Sequence, residues 1–172
     1  DRSRGLGDVY KRQVFGCLIA LAWKGEPFLG VIEHPITVDR WVGVADNFAL
    51  LNGKSARVRG CDNLRDAFVS CSNPDFMNVE QQLSLGRLKQ NTSYIQYGGA
   101  CFAYGSLASG RTDIAIDAGL KAFDLLAPAA VIMGAGGIIS DWDGAPLSID
   151  LKGDVLAAGD ERMHEAALSI LN

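Results

Sequence analysis

Among the 172 residues, no apolar run approaches the roughly 20 residues that cross a bilayer; the longest, Val14 to Trp23 and Leu125 to Met133, stop well short. Nor does a charged-then-apolar leader open the chain. A soluble cytoplasmic protein with no membrane partner is the expectation. Basic surplus is missing too: 16 Lys and Arg face 20 Asp and Glu, and no Lys/Arg run is interleaved with aromatics, which argues against nucleic acid as a partner. Cysteine is scarce, and Cys17, Cys61, Cys71 and Cys101 lie 44, 10 and 30 residues apart. That spacing matches neither a zinc site nor a small disulfide scaffold, so buried reduced thiols are expected. The two histidines, His34 and His164, have no metal-ligand companion at helical spacing, and solvated or capping roles follow. Gly-x-Ser-x-Gly is absent, which removes the nucleophile elbow of a serine hydrolase.

What is present is a chain that is 48% hydrophobic with 20 glycines and 5 prolines, the composition of one domain with a sizeable core. Asp1 to Gln13, DRSRGLGDVYKRQ, has no period that suits a core element. It resembles the translation of a sequencing adapter and is set aside as a fusion scar, leaving residues 14–172 as a single domain.

From Val14 the pattern reads as an antiparallel meander. Val14 to Trp23, Phe28 to Glu33, Arg40 to Ala45, Phe48 to Leu51 and Ser55 to Val58 are strand-like, with turn chemistry at Lys24-Gly25-Glu26 and Asn52-Gly53. Ala67 to Cys71 is a further strand, and Pro74 and Asp75 open a helix carrying Phe76, Val79, Leu83 and Leu88 on one side. Strand and helix then alternate: Tyr94 to Tyr97, a helix Cys101 to Ser109, Thr112 to Ile116, a helix Leu125 to Met133 with Asp124 at its N-cap, Ile138 to Ser140, and Val155 to Ala158 before a last helix carrying Met163, Ala167, Leu168 and Leu171. The glycines Gly134, Gly136 and Gly137 close a helix and lead into a strand, the reverse of a dinucleotide fingerprint, so they predict close packing and no nucleotide cofactor.

Asp113, Asp117 and Asp124 fall at element ends around the loop 118–123. Carboxylates so placed are a usual source of oxygen ligands for a hard cation, with helix N–H groups nearby for phosphate. From the residues alone, Asp124 reads first as an N-cap.

Phe123-Asp124 with its helix, Gly134-Ala135-Gly136-Gly137, and Ser140-Asp141-Trp142-Asp143-Gly144-Ala145-Pro146-Leu147 resemble, in order and spacing, the C-terminal signature of the inositol monophosphatase family. Tyr97 to Tyr104, Asp117 to Lys121, Val155 to Asp160, Leu29 to Pro35 and Arg40 to Gly43 look most like its histidinol-phosphatase branch. The resemblance implies an α/β layered sandwich and Mg²⁺-dependent hydrolysis of a small phosphate monoester, L-histidinol phosphate, by a homodimer. It implies Asp124 as a metal ligand, Asp117 as the acidic residue that holds the organic part of the substrate, and Gly99, Ala100, Cys101 and Lys121 as lining of the same cleft. That branch usually has Asp at Ala100 and Pro-Tyr at Ala122-Phe123. The family's other metal-binding run, Asp-Pro-Ile-Asp-Gly-Thr, does not occur in these residues. It is expected upstream of Val14, which makes this chain an inactive fragment of an active phosphatase.

Overall fold

The computed structural model describes residues 15–151 and 153–172, so the adapter-like stretch lies outside the described residues. Two five-stranded sheets organise the chain. The first is an antiparallel meander in sequence order: β1 (Cys17–Trp23), β2 (Glu26–His34), β3 (Asp39–Val44), β4 (Phe48–Leu51) and β5 (Lys54–Ser55). Lys24 and Gly25 both have positive φ (53° and 87°), as do Asn52 and Gly53 (50° and 78°). Each pair makes the two-residue loop whose twist suits a hairpin, which explains why the register closes on Trp23↔Glu26 and Leu51↔Lys54. The expected strand over 55–58 shrinks to a two-residue β5. The Val58 N–H instead donates to the Ala135 carbonyl (3.2 Å), because the chain there leaves the sheet for the next layer.

The second sheet contains β6 (Phe68–Cys71), β7 (Tyr94–Tyr97), β8 (Ile114–Asp117), β9 (Ile138–Ser140) and β10 (Val155–Ala158), in the order β7-β6-β8-β10-β9. β6 runs parallel to both β7 and β8, and β10 is antiparallel to its neighbours. Four α-helices complete the described fold: α1 (Val79–Asn91), α2 (Ala100–Ala108), α3 (Ala122–Gly134) and α4 (Glu161–Leu171).

The apolar α2 and α3 lie between the sheets. Leu107, Leu125, Val131 and Ile132 share a core with Ile32 and Trp41 of the first sheet and with Ala115, Val155 and Ala157 of the second. On the far side of the second sheet, Leu85 and Leu88 of α1 meet Met163, Ala167 and Leu171 of α4 over Val69, Ile116 and Leu156. The layers therefore run sheet, helix pair, sheet, helix pair, as the sequence predicts.

The start of α1 differs from expectation. Pro74–Phe76 is a separate 3₁₀ turn, and α1 begins at Val79 behind a reciprocal cap in which Asn78 and Gln81 exchange side-chain-to-backbone bonds (2.9 and 2.8 Å). Phe76, Val79 and Leu83 are exposed, and Ser84, Leu85 and Leu88 form the buried face. α4 is as expected, capped by Asp160, which accepts from Met163 N–H (2.9 Å).

Both histidines are buried, contrary to the solvated role expected of them. His34 packs on Phe102 (ring centroids 4.9 Å apart) and bonds Thr37 Oγ1 through Nδ1 (2.8 Å). His164 reaches Ser140 Oγ through Nε2 (2.8 Å). Helical period explains the second case, since His164 follows core residue Met163 and precedes Ala167 by three. Burial holds the His164 imidazole below its usual range, opposed by the Leu156 carbonyl and the Glu165 charge. As pH falls below the unfolded value of about 6.5, the unfolded chain takes up a proton that the folded one resists, so stability present above that pH is lost progressively. Urea midpoints should therefore fall between about pH 8 and about pH 5.5, and fall less in His164→Gln; an equal fall in that variant assigns the acid sensitivity elsewhere.

Of the cysteines, only Cys71 is fully buried; Cys17 is exposed, Cys61 and Cys101 are half-buried, and all four are free. The expectation of uniform burial does not hold, because Cys17 lies on the exposed face of an edge strand. Among the described residues, no helix is long and apolar enough to cross a membrane.

Candidate active site

Parallel β6, β7 and β8 deliver their C-terminal ends to one edge of the second sheet. From β6 the chain reaches β7 through α1 in the outer layer, and from β7 it reaches β8 through α2 in the inner layer. Connections that leave to opposite faces open a crevice at the carboxyl ends of the strands, the usual ligand position in such sheets. Three segments converge there: Ser72 after β6, Gly98 to Cys101 between β7 and α2, and Asp117 to Asp124 between β8 and α3.

Gly98 turns the chain with φ 90° and donates to the Cys71 and Ser72 carbonyls (3.1 and 2.9 Å), tying the β7 exit to the β6 exit. Gly99 is the N-cap of α2 without a side chain to cap it, and a Cβ there would stand 2.8 Å from that of Ala103. Ala100 follows with φ 44°, a left-handed conformation that a residue with a Cβ adopts at a cost. The Cys101 thiol is half-buried, and desolvation raises its pKa against the pull of the Cys101 and Phe102 amides at the helix start. Gly99, Ala100 and Cys101 thus stand together at the N-terminus of α2, as the sequence anticipates.

Asp124 is not the N-cap residue of α3 but the third residue of its first turn, from which it caps backwards. Lys121 holds the N-cap position, its side chain exposed, and Asp124 sits one turn in, where Oδ2 accepts the Lys121 N–H (2.9 Å). A carboxylate there compensates an orphan amide and suits the helix dipole. Pro128, four residues on, has no N–H to offer the Asp124 carbonyl, so the helix opens at the residue where the functional carboxylate is expected.

Asp117 ends β8 and is 3% exposed. Its Oδ1 accepts the Ser72 N–H (2.6 Å), and Oδ2 accepts Ser72 Oγ–H (2.9 Å) and Tyr104 O–H (2.8 Å). Desolvation pushes its pKa up, while these bonds and a contact with the Cys71 thiol pull it down. The sequence gives no hint of Ser72, which belongs to no motif, and Tyr104 closes the family-like stretch 97–104 without a role assigned to it; the strand pairing and the second turn of α2 bring them in.

Asp113 is separated from this group. It precedes β8, about 13 Å along the strand from Asp117, and its carboxylate takes a forked bond from Arg59 Nε and Nη2 (2.7 and 2.8 Å) and one from Phe68 N–H (2.8 Å). A forked ion pair between buried Asp113 and half-exposed Arg59 at the opposite sheet edge is structural, so the expected three-aspartate cluster loses Asp113. Among the described residues, no group of three His, Cys, Asp or Glu side chains converges as a metal site would. Asp124 alone does not satisfy the six or so oxygens that Mg²⁺ requires, so the described residues do not fit the ion by themselves.

The glycines after α3 behave as their order predicts. A Cβ on Gly137 would stand 2.9 Å from the Ala158 carbonyl, Ile132 and Val58, and Gly136 turns the chain with φ 87°. Asp141 Oδ1 accepts from Asp143 N–H (3.0 Å) and Ala145 N–H (2.7 Å), closing the turn 141–145.

Comparison with known proteins agrees with this arrangement. Residues 9–172 match the inositol monophosphatase family. The chain is 38% identical over 167 residues to the bifunctional phosphatase IMPL2, chloroplastic, of Arabidopsis thaliana, covering 93% of this chain and 48% of that protein. It is 30% identical to an inositol-1-monophosphatase of Mesorhizobium japonicum (90% and 59% covered) and 26% identical to a histidinol-phosphatase of Chlorobaculum parvum (84% and 56% covered). It thus spans about half to three-fifths of the length of these relatives. A solved inositol monophosphatase from Zymomonas mobilis superposes with a TM-score of 0.92 at 36% identity, over 96% of this chain and 66% of that one. In sequence, in layer order and in the crevice at the carboxyl ends of its parallel strands, the chain belongs to the inositol monophosphatase family.

Proposed function

We propose that the full-length protein is a phosphatase that hydrolyses a small phosphate monoester, with L-histidinol phosphate as substrate and Mg²⁺ as cofactor. What carries the reading is membership of the family together with Asp124 in the first turn of α3. Asp124 would supply one carboxylate to a divalent cation, its other ligands coming from beyond the described residues. Such an ion, when bound, lowers the pKa of water and neutralises a leaving alkoxide. The chain's own groups have simpler tasks. The uncapped amides of α2 face negative charge, Lys121 adds positive charge at the rim, and Asp117 holds an organic group of opposite sign. The stretch Asp117 to Lys121 supports the histidinol branch, against the departure at Ala100, and one relative in the comparison carries that name. A homodimer acting on a small molecule in the cytoplasm completes the proposal.

Inositol 1-phosphate is the second reading, favoured by the higher identity to an inositol-1-monophosphatase. Rates of phosphate release by the full-length protein, measured on both esters with Mg²⁺ and again with EDTA, separate the two. A higher kcat/KM on histidinol phosphate is expected; preference for the inositol ester moves the assignment, and release from neither ester, or release indifferent to EDTA, removes it.

A further inference from the structure

We propose that Tyr104, together with Ser72, is a positioning residue for the substrate: it holds the Asp117 carboxylate in one orientation, as the anchor for a cationic group on the organic part of the ester. This rests on the reading of Asp117 given above and goes beyond it by assigning the groups through which Asp117 acts.

The geometry is specific. Asp117 sits on β8, Ser72 follows β6 and Tyr104 lies in the second turn of α2, so three of the segments that build the crevice meet at one carboxylate. Tyr104 is 2% exposed. Its phenol is held far above its usual pKa by burial and by the Asp117 charge, so it stays protonated and donates. The Cys71 thiol, pushed up to about 12 by burial, stays protonated as well. Among the described residues, Asp117 is therefore bonded by neutral donors and by no cation: the serine and tyrosine bonds fix its rotamer without neutralising it. Arg59 is committed to Asp113 at the other end of β8. A buried carboxylate with hydrogen bonds and no counter-charge attracts an ammonium or imidazolium more strongly than a solvated one would. Of its contacts, the thiol is the weakest donor and the one an arriving cation displaces at least cost. A purely structural tie between strands would not need to leave the charge unpaired.

The test uses the full-length protein and two esters: L-histidinol phosphate, which carries an ammonium group, and glycerol 2-phosphate, which carries none. Tyr104→Phe and Ser72→Ala should each raise KM for the first about tenfold, with KM for the second within about twofold and kcat moving less than KM. Ser72→Thr, which keeps the hydroxyl, should restore most of the loss. Asp117→Asn serves as the reference. If it raises KM for the cationic ester while the Tyr104 and Ser72 variants do not, the positioning role is overturned and the role of Asp117 stands. If Asp117→Asn also leaves KM unchanged, or the unaltered protein releases no phosphate from either ester, the underlying reading fails and this inference with it. Equal KM changes on both esters mark a structural role only, and should Tyr104→Phe fail to fold, the Ser72 pair decides alone.

Discussion

Asp124→Asn in the full-length protein is expected to cut phosphate release at least about a hundredfold, since altering even groups that support a metal ligand costs 10- to 100-fold. The unfolding free energy should meanwhile change by no more than about 1 kcal/mol. The two effects separate because Asp124 has two jobs in different places. Toward its own helix it accepts the Lys121 N–H through Oδ2, which an amide oxygen does equally well. Toward the proposed cation it would offer a negative charge, which asparagine lacks. Asp124→Ala, which removes the acceptor as well, should lose a comparable share of activity and in addition about 1 kcal/mol of stability. Assays on histidinol phosphate with denaturant unfolding of the same preparations check both halves. Near-normal turnover in Asp124→Asn would return the residue to helix capping alone and take the metal reading with it.

The largest stability effect is expected where α3 crosses the first sheet. A Cβ on Gly30 would overlap the Ala127 carbonyl, and one on Gly43 would overlap the Val131 backbone. The obstacles are helix backbone, which cannot swing aside as a side-chain end can, so the helix and sheet must separate. Gly43→Ala is expected to cost about 3 kcal/mol, at the upper end for overpacking by one carbon. Gly30→Ala should cost a similar amount, and the double variant less than the sum, because a single shift of α3 relieves both clashes. Gly86→Ala in α1 is the control of opposite sign: nothing lies within 4 Å of its Cβ position, and helix propensity predicts a gain of about 0.5 to 1 kcal/mol. Urea midpoints for the three variants test the packing directly. A loss below about 0.5 kcal/mol at Gly43 would mean that the helix is not seated on the sheet as closely as described.

These two cases show what could be read before folding was known. Alternation and turn residues located nine of the ten strands in kind and nearly in extent, because period-2 patterning and the Asn52-Gly53 turn are local properties. The tenth, β5, was overextended because β-branched Val58 fits a strand equally well and is used instead against the end of α3. The helix after β6 was begun too early, since Pro74 starts a 3₁₀ turn as readily as an α-helix and the capping pair Asn78/Gln81 decides the matter. In the site, Asp117, Asp124 and the α2 N-terminus were visible as acidic or small residues at element ends. Asp113 looked the same and is not part of it, because direction along β8 is invisible in a spacing of four.

By itself, the sequence determined the alternation of elements, the two hairpin turns, the small-residue closure of α3, and the family to which its motifs point, all of which depend on residues near one another in the chain. Tertiary structure alone decided that Arg59 consumes Asp113, that His34 is buried against Phe102, and that Ser72 and Tyr104 converge on Asp117. Those outcomes join residues 13 to 68 positions apart. They depend on which strand lies beside which and which helix passes between the sheets, and a side chain's partner at that range is chosen by packing geometry rather than by its neighbours in sequence.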